Sequence, residues 1–176
     1  YWGDQHAAIT MGPDRARRMD ACATALREGV ALAIHSDAPV TPMAPLFTAW
    51  CAVNRLTESG AVLGPEERIS VEDAIHAITL GAAYTLRMDH LIGSVEPGKY
   101  ADFAVLEASP INAAPQELRD IKVAGTITGG EFHAAATRQD DGRPDMQETV
   151  DLHRHRRLSW RRQDEPPEQS AGAGQG

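Results

Sequence analysis

Among the side chains able to do chemistry, Asp37 has the most suggestive setting. It closes the run Val30-Ala31-Leu32-Ala33-Ile34-His35-Ser36-Asp37, apolar at its start and polar at its end. A carboxylate so placed can ligate a hard or borderline cation, take the proton of an attacking water and hand it to a leaving amine. A plainer reading is also open, in which Asp37 caps the turn before Pro39 by accepting a backbone N–H. His35 lies two residues earlier on the same side of the run. It either orients Asp37 or is an interior histidine whose hydrogen bonds are satisfied.

Other chemistries lack a motif. Gly93, Gly98 and Gly129-Gly130 fall between strand-like stretches, and none opens a helix in a phosphate-cradling pattern. No serine occupies a GxSxG elbow. Cys22 and Cys51 are far apart, without CxxC or Cys/His spacing, and read as buried thiols. His76, His90 and His133 read as structural, and Asp102 as a residue that fixes a turn.

The elements that must position Asp37 follow from periodicity. Met19, Cys22, Ala23 and Leu26 recur at helical spacing, which predicts a helix from Pro13 to Glu28 stopped by Gly29. Residues 30–37 then read as a strand with a bulky face of Val30, Leu32 and Ile34 opposite a small-to-polar one. Pro39 and Pro42 end it. A helix with Leu46, Trp50, Val53 and Leu56 on one stripe runs towards Gly60, and residues 58–69 are a polar loop. Ser70 starts the next helix, with Asp73 completing a loose capping box and Ile75, Ile78, Ala82 and Leu86 as its apolar stripe. Beyond Leu91 the pattern changes to short strands: Ile92–Glu96 and Ala101–Leu106 around the Pro97-Gly98-Lys99 turn, then Ile121–Thr128 and Glu131–Ala135 around Gly129-Gly130.

Composition bounds the function. Of 176 residues, 42% are hydrophobic, and 17 Lys+Arg face 25 Asp+Glu for a net charge of −8. These values exclude a collagen-like, disulfide-rich or wholly disordered chain, and they leave no basic surplus for a nucleic-acid partner. No apolar run approaches the roughly 18 residues of a membrane span. The chain opens on Tyr1 rather than Met, which leads us to expect a processed or truncated piece of something longer. Charge divides it near residue 135, with −7 before and −1 after. Residues 136–176, rich in Pro, Glu, Ser, Gly and Gln, are expected to be a disordered tail with a frayed helical turn near Val150–Trp160.

Two stretches resemble a known family. Leu91-Ile92-Gly93-Ser94-Val95-Glu96-Pro97-Gly98-Lys99-Tyr100-Ala101-Asp102-Phe103-Ala104-Val105-Leu106 resembles the segment with which metal-dependent hydrolases of the amidohydrolase superfamily leave their barrel and return to a β-sandwich. His35-Ser36-Asp37-Ala38-Pro39-Val40 is similar to the end of the last barrel strand in the branch that includes N-substituted formamide deformylase. Tyr1-Trp2-Gly3-Asp4-Gln5-His6 and Leu56-Thr57 fit the same branch. The resemblance covers residues 1–135. It implies an α/β fold class: residues 1–90 as the C-terminal end of a (β/α)8 TIM barrel, 91–135 as part of a small β-sandwich, and 136–176 outside it.

The resemblance further implies a divalent metal, zinc above all, as one or two ions, with Asp37 as both metal ligand and catalytic residue and His35 behind it. Trp2, Asp4 and His6 would lie on a loop beside the substrate, or be ordinary loop residues. The family's His-x-His pair has no counterpart before Asp37, and His153-x-His155 lies in the tail. The implied activity is hydrolysis of C–N bonds of amide or N-formyl type in a small-molecule substrate, by a chain inactive alone. No nucleic-acid or membrane partner is implied; a cytoplasmic location and self-association into a homo-oligomer are the accompanying expectations. A non-catalytic α/β binding module and a degenerate pseudoenzyme are the competing readings.

Overall fold

A computed structural model describes residues 1–135. The expected tail at 136–176, with the helical turn at Val150–Trp160 and the His153/His155 pair, lies outside the described residues. Six α-helices precede three strands: α1 (Gly3–Gln5), continued as a π-turn at His6–Thr10, α2 (Pro13–Arg17), α3 (Cys22–Arg27), α4 (Pro45–Asn54), α5 (Val71–Ile78), α6 (Leu80–Thr85), β1 (Phe103–Leu106), β2 (Val123–Thr128) and β3 (Glu131–Ala134). Short 3-10 turns occur at Pro65–Glu67 and Pro115–Asp120. No helix among the described residues is long and apolar enough to cross a membrane.

Helix α4 is the centre of the core. Ala49, Trp50, Ala52 and Val53 are buried on it, with Leu46 and Leu56 packed at the margin, as the expected stripe requires. Ala74 of α5, Cys22 of α3, Ile69 and the fully buried Leu118 close around them. The start of α5 follows its sequence signal: the Ser70 hydroxyl accepts from the Asp73 N–H at 3.0 Å and donates to the Asp73 carboxylate at 2.7 Å.

Three expected elements differ. The helix over 13–28 is two helices, broken at Asp20, whose φ is +50°. The carbonyls that the break releases are collected by Arg55: its guanidinium donates to Met19 O at 2.8 Å, Asp20 O at 3.1 Å and Arg17 O at 3.4 Å, and its Nε to Leu63 O at 2.9 Å. Arg55 itself stands at φ +56° and ends α4 five residues before Gly60. The third helix is likewise split, into α5 and α6 at Thr79, and its innermost positions are Ala74, Ala77, Gly81 and Ala83 while Leu86 is exposed.

The segment 30–37 forms no ladder. Its main-chain bonds to the helices run from the Val30 N–H to Ala25 O of α3 at 2.9 Å and from the Ile34 N–H to Ala77 O of α5 at 3.4 Å. A strand requires neighbours, and no other strand among the described residues lies beside it. Ile92–Glu96 is also not a strand; Gly93 at φ +93° turns the chain there. The remaining β signals are realised as an antiparallel sheet in the order β1-β2-β3, with Thr128 opposite Glu131 and both Gly129 and Gly130 at positive φ between them. Asp102 fixes this turn from outside, accepting the Gly129 N–H at 2.7 Å.

Candidate functional site

Asp37 sits at φ +51°, in the left-handed region that Asp tolerates better than most residues. Its carbonyl accepts the Val40 N–H at 2.8 Å, so the turn before Pro39 is closed by main chain. The carboxylate is exposed and has no hydrogen-bond or ion-pair partner among the described residues. The capping role open on sequence grounds therefore belongs to the Asp37 carbonyl, and the side chain is left available.

His35 is exposed, not interior. It does act on Asp37, through the backbone rather than the carboxylate: its Nδ1 accepts the Asp37 N–H at 3.0 Å. Thr41, which the sequence reading passed over, donates its hydroxyl to the Ser36 carbonyl. A threonine two residues past a turn proline is the only hint the sequence offers of that contact.

Trp2, Asp4 and His6 engage other partners. The Asp4 carboxylate accepts from the Ser59 N–H and Ser59 hydroxyl, both at 2.8 Å, tying α1 to the loop after α4. These bonds, the backbone one first, with the Thr57 hydroxyl, hold the Asp4 carboxyl below its usual range. His6 Nδ1 pairs with Thr10 Oγ1 at 2.7 Å across the π-turn. Trp2 meets Tyr1 edge-on with ring centroids 5.2 Å apart, and Tyr1 meets Phe47 edge-on at 6.2 Å. Phe47 stacks on Trp50 at 5.7 Å, and Arg119 covers the Trp50 ring at 4.3 Å. No such contact joins Trp2, Asp4 or His6 to His35 or Asp37 among the described residues.

Neither cysteine forms a disulfide; Cys22 is buried and Cys51 half-buried. Burial raises both thiols above their usual range, which disfavours the nucleophilic thiolate. A cavity of about 260 Å³ lies between the 30–36 segment and α6, lined by Ala31, Leu32, His76, Leu80, Gly81, Tyr84 and Asp89. It is apolar and does not include Asp37.

The donor chemistry at Asp37 suits a divalent cation, but the number of donors does not. No group of three or more His, Cys, Asp or Glu side chains able to hold a metal occurs among the described residues. One carboxylate does not make a metal site.

With this geometry in hand, comparison defines the class: residues 1–134 match the model of the Amidohydrolase family, and the chain belongs to that family. It is 34% identical over 105 residues to the N-substituted formamide deformylase of Arthrobacter pascens, a match covering 60% of this chain and 19% of that protein. It is 30% identical over 125 residues to the putative amidohydrolase YtcJ of Bacillus subtilis, covering 69% and 24%. In structure it is similar to an amidohydrolase from Thermotoga maritima, with TM-score 0.50, 24% identity and coverage of 65% of this chain and 26% of that one. The chain thus spans about a fifth to a quarter of these three proteins.

Proposed function

We propose that these residues are the C-terminal part of a metal-dependent amidohydrolase that hydrolyses C–N bonds of amide or N-formyl type in small molecules. Family membership and the deformylase relative support the bond class, and the unpartnered Asp37 carboxylate carries the assignment of a working residue. In this reading the segment 30–37 is the last strand of a (β/α)8 barrel, and the sheet β1–β3 is part of a sandwich beside it. Among the described residues Asp37 has no companion ligands, so in this reading further metal ligands come from outside residues 1–135, and the 176-residue chain alone is expected to be inactive. A divalent metal held by Asp37 together with those further ligands would supply Lewis acidity and lower the pKa of water. Asp37 takes the proton of the attacking water and delivers it to the departing amine, which leaves neutral.

The test assays the natural gene product carrying these residues, and the 176-residue chain alone, with zinc and a series of formamides and simple amides. Amine release by the gene product is expected, falling about 10²- to 10⁴-fold in Asp37→Asn with the fold intact. An undiminished rate in that variant overturns the role of Asp37, and turnover by the chain alone overturns the need for outside ligands.

A further inference from the structure

The Ser36–Asp37 peptide is held at both poles by side chains. Its carbonyl oxygen, on Ser36, accepts the hydroxyl of Thr41, and its amide, on Asp37, donates to Nδ1 of His35 at 3.0 Å. A third bond, from the Val40 N–H to the Asp37 carbonyl at 2.8 Å, anchors the following peptide. Rotation of the 36–37 peptide plane changes ψ of Ser36 and φ of Asp37 together, so fixing the plane fixes φ of Asp37. That angle is +51°, a conformation the chain does not adopt by default, and it sets the direction in which the Cα–Cβ bond leaves the backbone.

We propose that Thr41 is a positioning residue for Asp37: with His35 it clamps the Ser36–Asp37 peptide and thereby aims a carboxylate that has no hydrogen-bond or ion-pair partner among the described residues. The inference rests on the reading of Asp37 as the proton carrier. Both clamping groups act on the main chain, so the carboxylate keeps all its acceptor sites for a ligand or proton. A group aimed through its backbone in this way is pre-organised without being consumed. Thr41 also lies between Val40 and Pro42, so the residue that donates to the peptide is stiffened by the proline that follows it.

The test has a structural and a kinetic arm, both on the natural gene product, with circular dichroism confirming the fold of each variant. Hydrogen exchange at the Asp37 amide is expected to quicken about five- to tenfold in Thr41→Val and in His35→Leu. Thr41→Ser, which keeps the hydroxyl, and His35→Asn, whose Oδ1 stands where Nδ1 stood, are expected to restore it to within about twofold. In turnover, Thr41→Val lowers kcat about tenfold with KM little changed, and Thr41→Ser recovers it. Unchanged exchange in both Thr41→Val and His35→Leu overturns the clamp. Faster exchange with kcat retained, in an enzyme that Asp37→Asn inactivates, overturns its positioning role. Faster exchange in an enzyme that Asp37→Asn leaves active overturns the reading of Asp37 and leaves the clamp standing.

Discussion

Glu67 grips Thr24 with both carboxylate oxygens: Oε2 accepts the backbone N–H at 2.8 Å and Oε1 the hydroxyl at 2.5 Å, across 43 residues of sequence. The carboxylate thereby serves as a cap for α3 supplied from the Pro65–Glu67 turn, since Thr24 is in the helix's first turn, whose N–H groups lack intrahelical partners. The Thr24 hydroxyl and N–H, in that order, hold the Glu67 carboxyl below its usual range, helped by Arg27 and Arg55. A depressed folded-state pKa contributes stability that is present above the unfolded value, near 4.5, and is lost as pH falls through the folded one. Thermal unfolding followed from pH 7 to pH 3 should show wild type losing Tm below pH 4.5, while Glu67→Gln starts lower and falls less over that interval. Parallel curves would exclude Glu67 from the acid response.

Arg55 should not tolerate lysine. Its fork spans four carbonyls, on Arg17, Met19, Asp20 and Leu63, and an ammonium on a single stem reaches fewer of them. Arg55→Lys is expected to cost about 2 kcal/mol, measured as a shift in the urea midpoint at constant slope. A shift within 0.5 kcal/mol would show that water satisfies these carbonyls as well as the guanidinium does.

At Gly81 the helix α6 approaches the 30–36 segment so closely that a Cβ would collide with the Leu32 carbonyl, a backbone atom that cannot turn aside. Alanine normally stabilises a helix relative to glycine by about 0.5–1 kcal/mol. Here the collision dominates, and Gly81→Ala should destabilise by about 1–3 kcal/mol in denaturant unfolding. A gain in stability would mean that the segment moves away freely from α6.

Asp37 makes the opposite prediction. Because its carboxylate has no hydrogen-bond or ion-pair partner among the described residues, Asp37→Asn should leave stability within about 0.5 kcal/mol, whereas Asp37→Ala, a poorer occupant of φ +51°, should cost about 1 kcal/mol. Equal losses in both would reveal a contact to the carboxylate.

What could be read from sequence divides by range. The Ser70 cap, the Gly129-Gly130 hairpin and the Glu96–Lys99 turn, with Pro97 inside it and Gly98 at φ +94°, are settled within a few residues and were legible. The break at Asp20 was not, because the group that compensates it, Arg55, is 35 residues away in the chain. Residues 30–37 carry a strand's alternation but form no ladder, since alternation describes the faces of a segment and says nothing of its neighbours. Near Asp37, spacing put His35 two residues away, close enough for a hydrogen bond. That His35 would grip the amide rather than the carboxylate, with Thr41 on the other pole, depended on the turn's dihedral angles.

The turn between β1 and β2 joins the two halves of the described chain more firmly than any strand does. Leu118 enters the helical core, and α4 reaches back to the same turn: Trp50 Nε1 donates to Gln116 O at 2.9 Å and Asn54 Nδ2 to Pro115 O at 2.8 Å. Withdrawing Pro115–Asp120 would empty a leucine-sized space beside Trp50 and leave the buried Asn54 amide short of an acceptor in one step. A substitution that steadies α4 is therefore expected to slow amide exchange in β2 as well, because the turn that α4 holds leads directly into that strand.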